Sequence, residues 1–147
     1  GVRPEILSAL AIVPLAEVAW ADGSVDQKER QVLNYGHTFA HAFETAGGYA
    51  HWLHGEAVAA GMVCASRLAE RRRLIANDVT QRQWRLLEAF SLPVAPEKQW
   101  TADELIATMR KDKKAIGGKM RFILPTKLGS VAMFDDVPEE DVRAVLA

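Results

Sequence analysis

The chain has a single cysteine, Cys64. An internal disulfide is therefore excluded, and a reducing, cytoplasmic setting is expected. Long apolar runs are also missing: none approaches the roughly 18 residues that span a bilayer, so no membrane partner is expected. The stretch 6–20 is mostly apolar, but Pro14 and Glu17 interrupt it and no small-residue cleavage site follows. It reads as a helix, not as a signal peptide. There is no excess of one charge. Eighteen basic and 19 acidic residues leave a net charge of -1, which gives no footprint for nucleic acid or an anionic membrane. Internal repeats and low-complexity tracts are absent. No strand followed by a glycine-rich phosphate turn appears, so no dinucleotide-binding half is expected within these residues. The chain opens on Gly1 without an initiator methionine, the mark of a fragment or a processed product. What remains is an ordinary globular balance, 49% hydrophobic and 25% charged over 147 residues, enough for one compact domain.

The periodicity predicts a mainly α fold with one short antiparallel β pair. A first helix is expected over 4–21, with Pro4 in its first turn, followed by a turn at Asp22-Gly23-Ser24. A second helix is expected over 25–45, ended by Gly47 and Gly48. The third, over 54–74, contains AVAAGMVCA at 57–65, with no charge on any face, and should be buried all round. A fourth is expected over 79–90. Thr101 and Glu104 have the spacing of a capping box for a fifth that ends near Lys111. Residues 120–124 and 130–134 predict the strand pair. Pro138, Glu139 and Glu140 open a last short helix.

All four histidines, His37, His41, His51 and His54, fall within one short stretch. Arg30, Asn34, His37, His41 and Glu44 are spaced by four, three, four and three. At about 100° per residue they form one polar stripe on a helix. Such a stripe can simply be a solvated face, but histidine is an uncommon choice for one, and the usual lysines are missing. Neutral imidazole is a good zinc ligand, and a catalytic zinc takes three protein ligands and an open position. His37 and His54 can supply two of the three; the i,i+4 pair His37 and His41 is the alternative, although no Glu follows His37 as in HExxH. His51 reads as an exposed turn residue, and Glu56 as a partner of its helix dipole. Arg30 and Asn34 suit an anionic, hydroxylated small molecule. By themselves Lys111, Lys113 and Lys114, beside Gly117 and Gly118, read as a solvated turn.

Three segments resemble the signatures of one family, in its order. RQVLNYGHTFAHAFE (30–44) resembles the R-x-x-L-N-x-G-H-T-x-x-H-A-x-E motif of 3-dehydroquinate synthases; WLHGEAVAAGMV (52–63) resembles their L-H-G-E-A-V-A-x-G-M motif; and MRKDKKAIGGKMRFILPTKLG (109–129) resembles their D-K-K…G-K-x-R-F-x-L-P…G segment. The resemblance covers about 30–147 and implies the helical C-terminal domain of that fold. Members of the family are NAD-dependent, zinc- or cobalt-dependent lyases that convert the phosphosugar acid DAHP to 3-dehydroquinate with release of phosphate, in aromatic amino acid biosynthesis. By position, His37 and His54 resemble the two histidine metal ligands. Arg30, Asn34 and one of Lys113 or Lys114, with Lys114 preferred, resemble substrate contacts. His41 resembles the imidazole that assists proton transfer. The third metal ligand of the family, a glutamate, belongs to the NAD-binding half.

The chain departs from the pattern in two ways. The NAD-binding half is not in it. Before Arg30, Ala16 stands where the family has a lysine, and Asp26 where a glutamate is usual. Residues 11–30 instead resemble the acidic segment of tellurite-resistance-type helical domains. The expected division is therefore a helical segment over 1–29 and a dehydroquinate-synthase-like domain over 30–147. The expected function is part of such a lyase, inactive alone, with a separate NAD-binding domain or a second copy of the chain in a homo-oligomer as the expected partner. The alternatives are another sugar-phosphate cyclase on the same scaffold, or a non-catalytic helical interaction module.

Overall fold

The computed structural model describes residues 27–147, with backbone alone for Glu29 and for 114–116. The expected helix over 4–21 and most of the 1–29 segment lie outside the described residues. In chain order the elements are α1 (Gln27–Leu33), α2 (His37–Ala46), α3 (His54–Arg71), α4 (Asn77–Ala89), α5 (Ala102–Ile116), β1 (Phe122–Lys127), β2 (Ser130–Phe134) and α6 (Glu139–Leu146). The strands form an antiparallel pair with Phe122 opposite Phe134, and a bulge between Pro125 and Lys127. A mainly helical fold with one short hairpin is thus what the sequence builds.

Helix α3 is the hub, packing against α2, α4, α6 and β1. From Ala57 to Ala65 every residue but the half-buried Met62 is buried, so the expectation of burial all round holds with one exception. Its small side chains leave room for larger neighbours. Phe39 and Phe43 of α2, Leu105 and Ile106 of α5, Phe122 and Leu124 of β1 and Val142 of α6 close over it. Cys64 is fully buried within this core, and burial pushes its thiol up to about 12.

The expected helix over 25–45 is two helices. The break falls at residues 34–36, where Gly36 has φ +81 and His37 N–H donates to the Asn34 carbonyl at 3.1 Å. The reason is a close backbone approach. A Cβ at Gly36 would lie 2.7 Å from the Met62 nitrogen, and one at Gly61 would lie 2.3 Å from the Gly36 oxygen. The chain thus turns at one glycine and rests on another, and neither position has room for a side chain.

The capping box at the start of α5 forms as expected. Thr101 Oγ1 accepts from Glu104 N–H at 3.3 Å, and Glu104 Oε2 accepts from Thr101 N–H at 2.9 Å. The helix runs past Lys111 to Ile116, because the first residue able to stop it is Gly117, with φ +102. Pro138 precedes α6, whose acidic first turn reaches back across the fold: Asp141 to Arg71 of α3, and Glu139 to Arg110 of α5. These exposed pairs fix orientation more than stability.

A mid-helix glycine replaced by alanine ordinarily gains up to about 1 kcal/mol of helix propensity. Gly61→Ala should do the opposite, costing about 1–3 kcal/mol through overpacking against the Gly36 carbonyl. Thermal unfolding of the two proteins checks this: the variant should melt several degrees lower, and a higher Tm would contradict the packing described.

Candidate metal and anion site

The break at Gly36 makes His37 the first residue of α2, and His54 is the first residue of α3. The Gly36–Gly61 contact lays the start of α2 across α3. The His37 and His54 rings then sit with centroids 5.3 Å apart, inclined at 62°. Two imidazoles sharing one tetrahedral zinc, with Zn–N of about 2.0–2.1 Å, have ring centres about 5 Å apart. The pair therefore fits a divalent ion of the zinc or cobalt kind. His41 follows one turn later, its ring 6.4 Å from that of His37.

Glu44 completes the group. Its side chain is 10% exposed, and its Oε1 is 2.6 Å from Nδ1 of His54. Its other oxygen lies 4.0 Å from Nδ1 of His41. Among the described residues, no set of three or more His, Cys, Asp or Glu side chains is arranged to hold a metal. The two imidazoles are thus a partial set. Glu56 accepts a hydrogen bond from Leu53 N–H at 2.8 Å, so it caps the helix as a first-turn carboxylate should. His51 stands apart and exposed, 3.4 Å from Glu97 and against Trp100.

Beside the histidines lies a cavity of about 620 Å³. Asn34, His37 and His41 form one wall, and Lys113 of α5 with Lys119 and Arg121 of the segment before β1 bring positive charge to it. Thr38 ties the two sides together, its Oγ1 donating to the Arg121 carbonyl at 2.8 Å. The polar stripe of the sequence is thus split by the break: Asn34 reaches the cavity, while Arg30 is exposed on α1 and does not line it. The Asn34 amide donates to the Arg30 carbonyl at 2.8 Å, which links the two residues through the backbone. Lys114 lies on α5, and its side chain falls outside the described residues. Lys119, Arg121 and Tyr49 line the cavity without having been singled out from sequence. Lys119 and Arg121 sit in the G-K-x-R-F stretch quoted above, which is the signal that could have found them; Met120 between them lines the cavity as well. Tyr49 carried no such signal, since its φ of +60 in the turn after α2 is what places it.

Partial burial holds the His37 imidazole below its ordinary value, with the backbone carbonyl of Tyr35 opposing and the neighbouring His54 and His41 adding to the shift. A depressed histidine stays neutral, the form that ligates metal, further into acid. The sign for stability follows: the unfolded chain takes up the proton first, so this contribution is present above pH of about 6.5 and lost as pH falls through the folded value. An NMR titration should place the His37 midpoint below about 6.5. His37→Ala should flatten the fall of stability with acidification in that window. A midpoint at or above the ordinary value would contradict the burial described.

The family model described as "3-dehydroquinate synthase C-terminal" matches residues 15–115, starting before Arg30. The 3-dehydroquinate synthase of Pseudoalteromonas translucida is 50% identical over 125 residues, covering 82% of this chain and 35% of its own length. That of Shewanella frigidimarina is 42% identical over 127 residues, covering 86% and 36%. The chain therefore spans about a third of the length of the curated relatives it matches. Among solved structures, the 2-epi-5-epi-valiolone synthase ValA of Streptomyces hygroscopicus, with NAD+ and Zn2+ bound, superposes with a TM-score of 0.70 at 25% identity, covering 92% of this chain and 36% of that one. A 2-deoxy-scyllo-inosose synthase complexed with carbaglucose-6-phosphate, NAD+ and Co2+ superposes with a TM-score of 0.65 at 25% identity, covering 82% and 34%. By motif, family model and fold alike, the chain belongs to the 3-dehydroquinate synthase C-terminal family.

Proposed function

We propose that the chain is the metal- and substrate-binding half of a 3-dehydroquinate synthase. It would act in the shikimate route on the phosphosugar acid DAHP, yielding 3-dehydroquinate and phosphate. The observation that carries this is the approach of His37 and His54, ring centres 5.3 Å apart, with His37 on the wall of a cavity that also carries amide, imidazole and cationic groups. In this reading His37 and His54 hold a Zn2+ or Co2+ ion, which when bound polarises substrate hydroxyls as a Lewis acid. Lys113, Lys119 and Arg121 attract the phosphate and carboxylate of the substrate. Asn34 can both donate to and accept from its hydroxyls. His41, on the cavity wall, moves a proton between substrate oxygens. Arg30 and Lys114 are proposed as further substrate contacts, Arg30 requiring its long side chain to turn from solvent when substrate is in place.

Two elements of the reaction must come from elsewhere. The described residues bring together two imidazoles and no third ligand, so the remaining ligand is assigned to a second domain. The NAD that oxidises and re-reduces the ring has no strand with a following glycine-rich phosphate turn in this sequence to receive it. The chain alone is therefore expected to be inactive and to work with an NAD-binding domain, in the same or a separate polypeptide. A cytoplasmic setting fits the single, buried, free Cys64, and among the described residues no helix is long and apolar enough to cross a membrane. The nearest alternative, a cyclase making another carbocycle, has less support: the two cyclases above are 25% identical to the chain, against 42% and 50% for the dehydroquinate synthases.

Titration of the purified chain with Zn2+ in a calorimeter tests the assignment. One ion per chain should bind; His37→Ala should weaken binding tenfold or more, and His51→Ala should leave it unchanged. Equal effects of the two substitutions would sink the ligand assignment.

A further inference from the structure

An imidazole that binds a metal through one nitrogen needs the other held by an acceptor, since that bond fixes both the tautomer and the ring orientation. His54 has such an acceptor within the chain. Its Nδ1 lies 2.6 Å from Glu44 Oε1. An ionised carboxylate can only accept, so the proton of this bond sits on Nδ1, and in the neutral ring the lone pair is left on Nε2.

The bond is unlike an incidental surface pair in two respects. The Glu44 side chain is 10% exposed, although the His54 side chain is 53% exposed. Glu44 lies on α2 and His54 opens α3, so the bond joins the same two helices that carry the proposed ligands. Glu44 is also seven residues from His37 and three from His41, which places all three on one face of α2. A carboxylate fixed there by its own helix presents a rigid acceptor to a ring that is otherwise half in solvent.

We propose that Glu44 is a positioning residue for the metal site: it holds His54 in the Nδ1–H tautomer and leaves Nε2 unprotonated for the ion. This rests on the reading of His37 and His54 as ligands. Glu44 itself is not a ligand in this account, because Oε1 is engaged with Nδ1 of His54.

The test uses the whole chain, labelled with 15N, in the wild type, Glu44→Gln and Glu44→Ala. The first readout needs no metal. Long-range 1H–15N correlation of the histidine rings, at a pH well above the ordinary imidazole value of about 6.5, reports the tautomer. His54 should be Nδ1–H in the wild type and in Glu44→Gln, whose amide oxygen still accepts, and should shift toward Nε2–H in Glu44→Ala. The second readout is Zn2+ affinity, expected to fall about 10–100-fold in Glu44→Ala and distinctly less in Glu44→Gln. An Nε2–H ring in the wild type overturns the inference, and so does unchanged zinc affinity in Glu44→Ala. Equal losses in the two variants overturn it too, because they assign Glu44 to charge or direct ligation. Binding that is lost in His37→Ala but indifferent to Glu44 defeats this inference alone. A wild-type chain that binds no zinc defeats the ligand reading and the inference together.

Discussion

The site depends on one close contact between backbones. Gly36 and Gly61 meet with no room for a Cβ at either position. This contact breaks what would otherwise be a continuous helix and sets the start of α2 against α3. With an alanine on either side, the two helices would have to separate, and a separation of even an ångström would pull the His37 ring away from His54. The hydrophobic core behind the contact is conventional: phenylalanines on α2 and β1 close over the small residues of α3. Its role in function is to hold the two backbones together, so that two histidines from separate helices reach one point.

Much of this was legible in the sequence. The charge-free run at 57–65 announced the buried hub, and Thr101 with Glu104 announced the start of α5. The clustering of histidines pointed to the candidate site before any geometry was known. The helix break was not legible by periodicity, because the stripe from Arg30 to Glu44 keeps its spacing straight through Gly36, and a glycine inside a helical pattern is tolerated by local rules. What decides the break is a partner 25 residues later, Gly61, and a long-range backbone contact leaves no trace in a local window. The same cause hid the separation of Arg30 from the cavity. The extension of α5 to Ile116 was missed for a smaller reason: the lysines at its end read as a solvated turn, whereas Gly117 is where the helix stops. Lys119 and Arg121 stood in the quoted G-K-x-R-F stretch without a role of their own, and their place on the cavity wall shows only in the fold.

This chain carries imidazoles at the starts of two helices and a cationic wall. These groups suit a divalent cation and an anionic small molecule. The proposed function assigns the redox chemistry and the last metal ligand to another domain. Under the proposed function, two imidazoles with ring centres 5.3 Å apart leave the remaining positions around the ion to a third group and to substrate.

The central claim is that His37 and His54, not His37 and His41, are the ligand pair. Anomalous scattering at the zinc edge, from crystals of the chain grown with Zn2+, tests it most directly. The account predicts a peak within bonding distance of both His37 and His54. A peak bridging His37 and His41 away from His54, or one on His51, would contradict it.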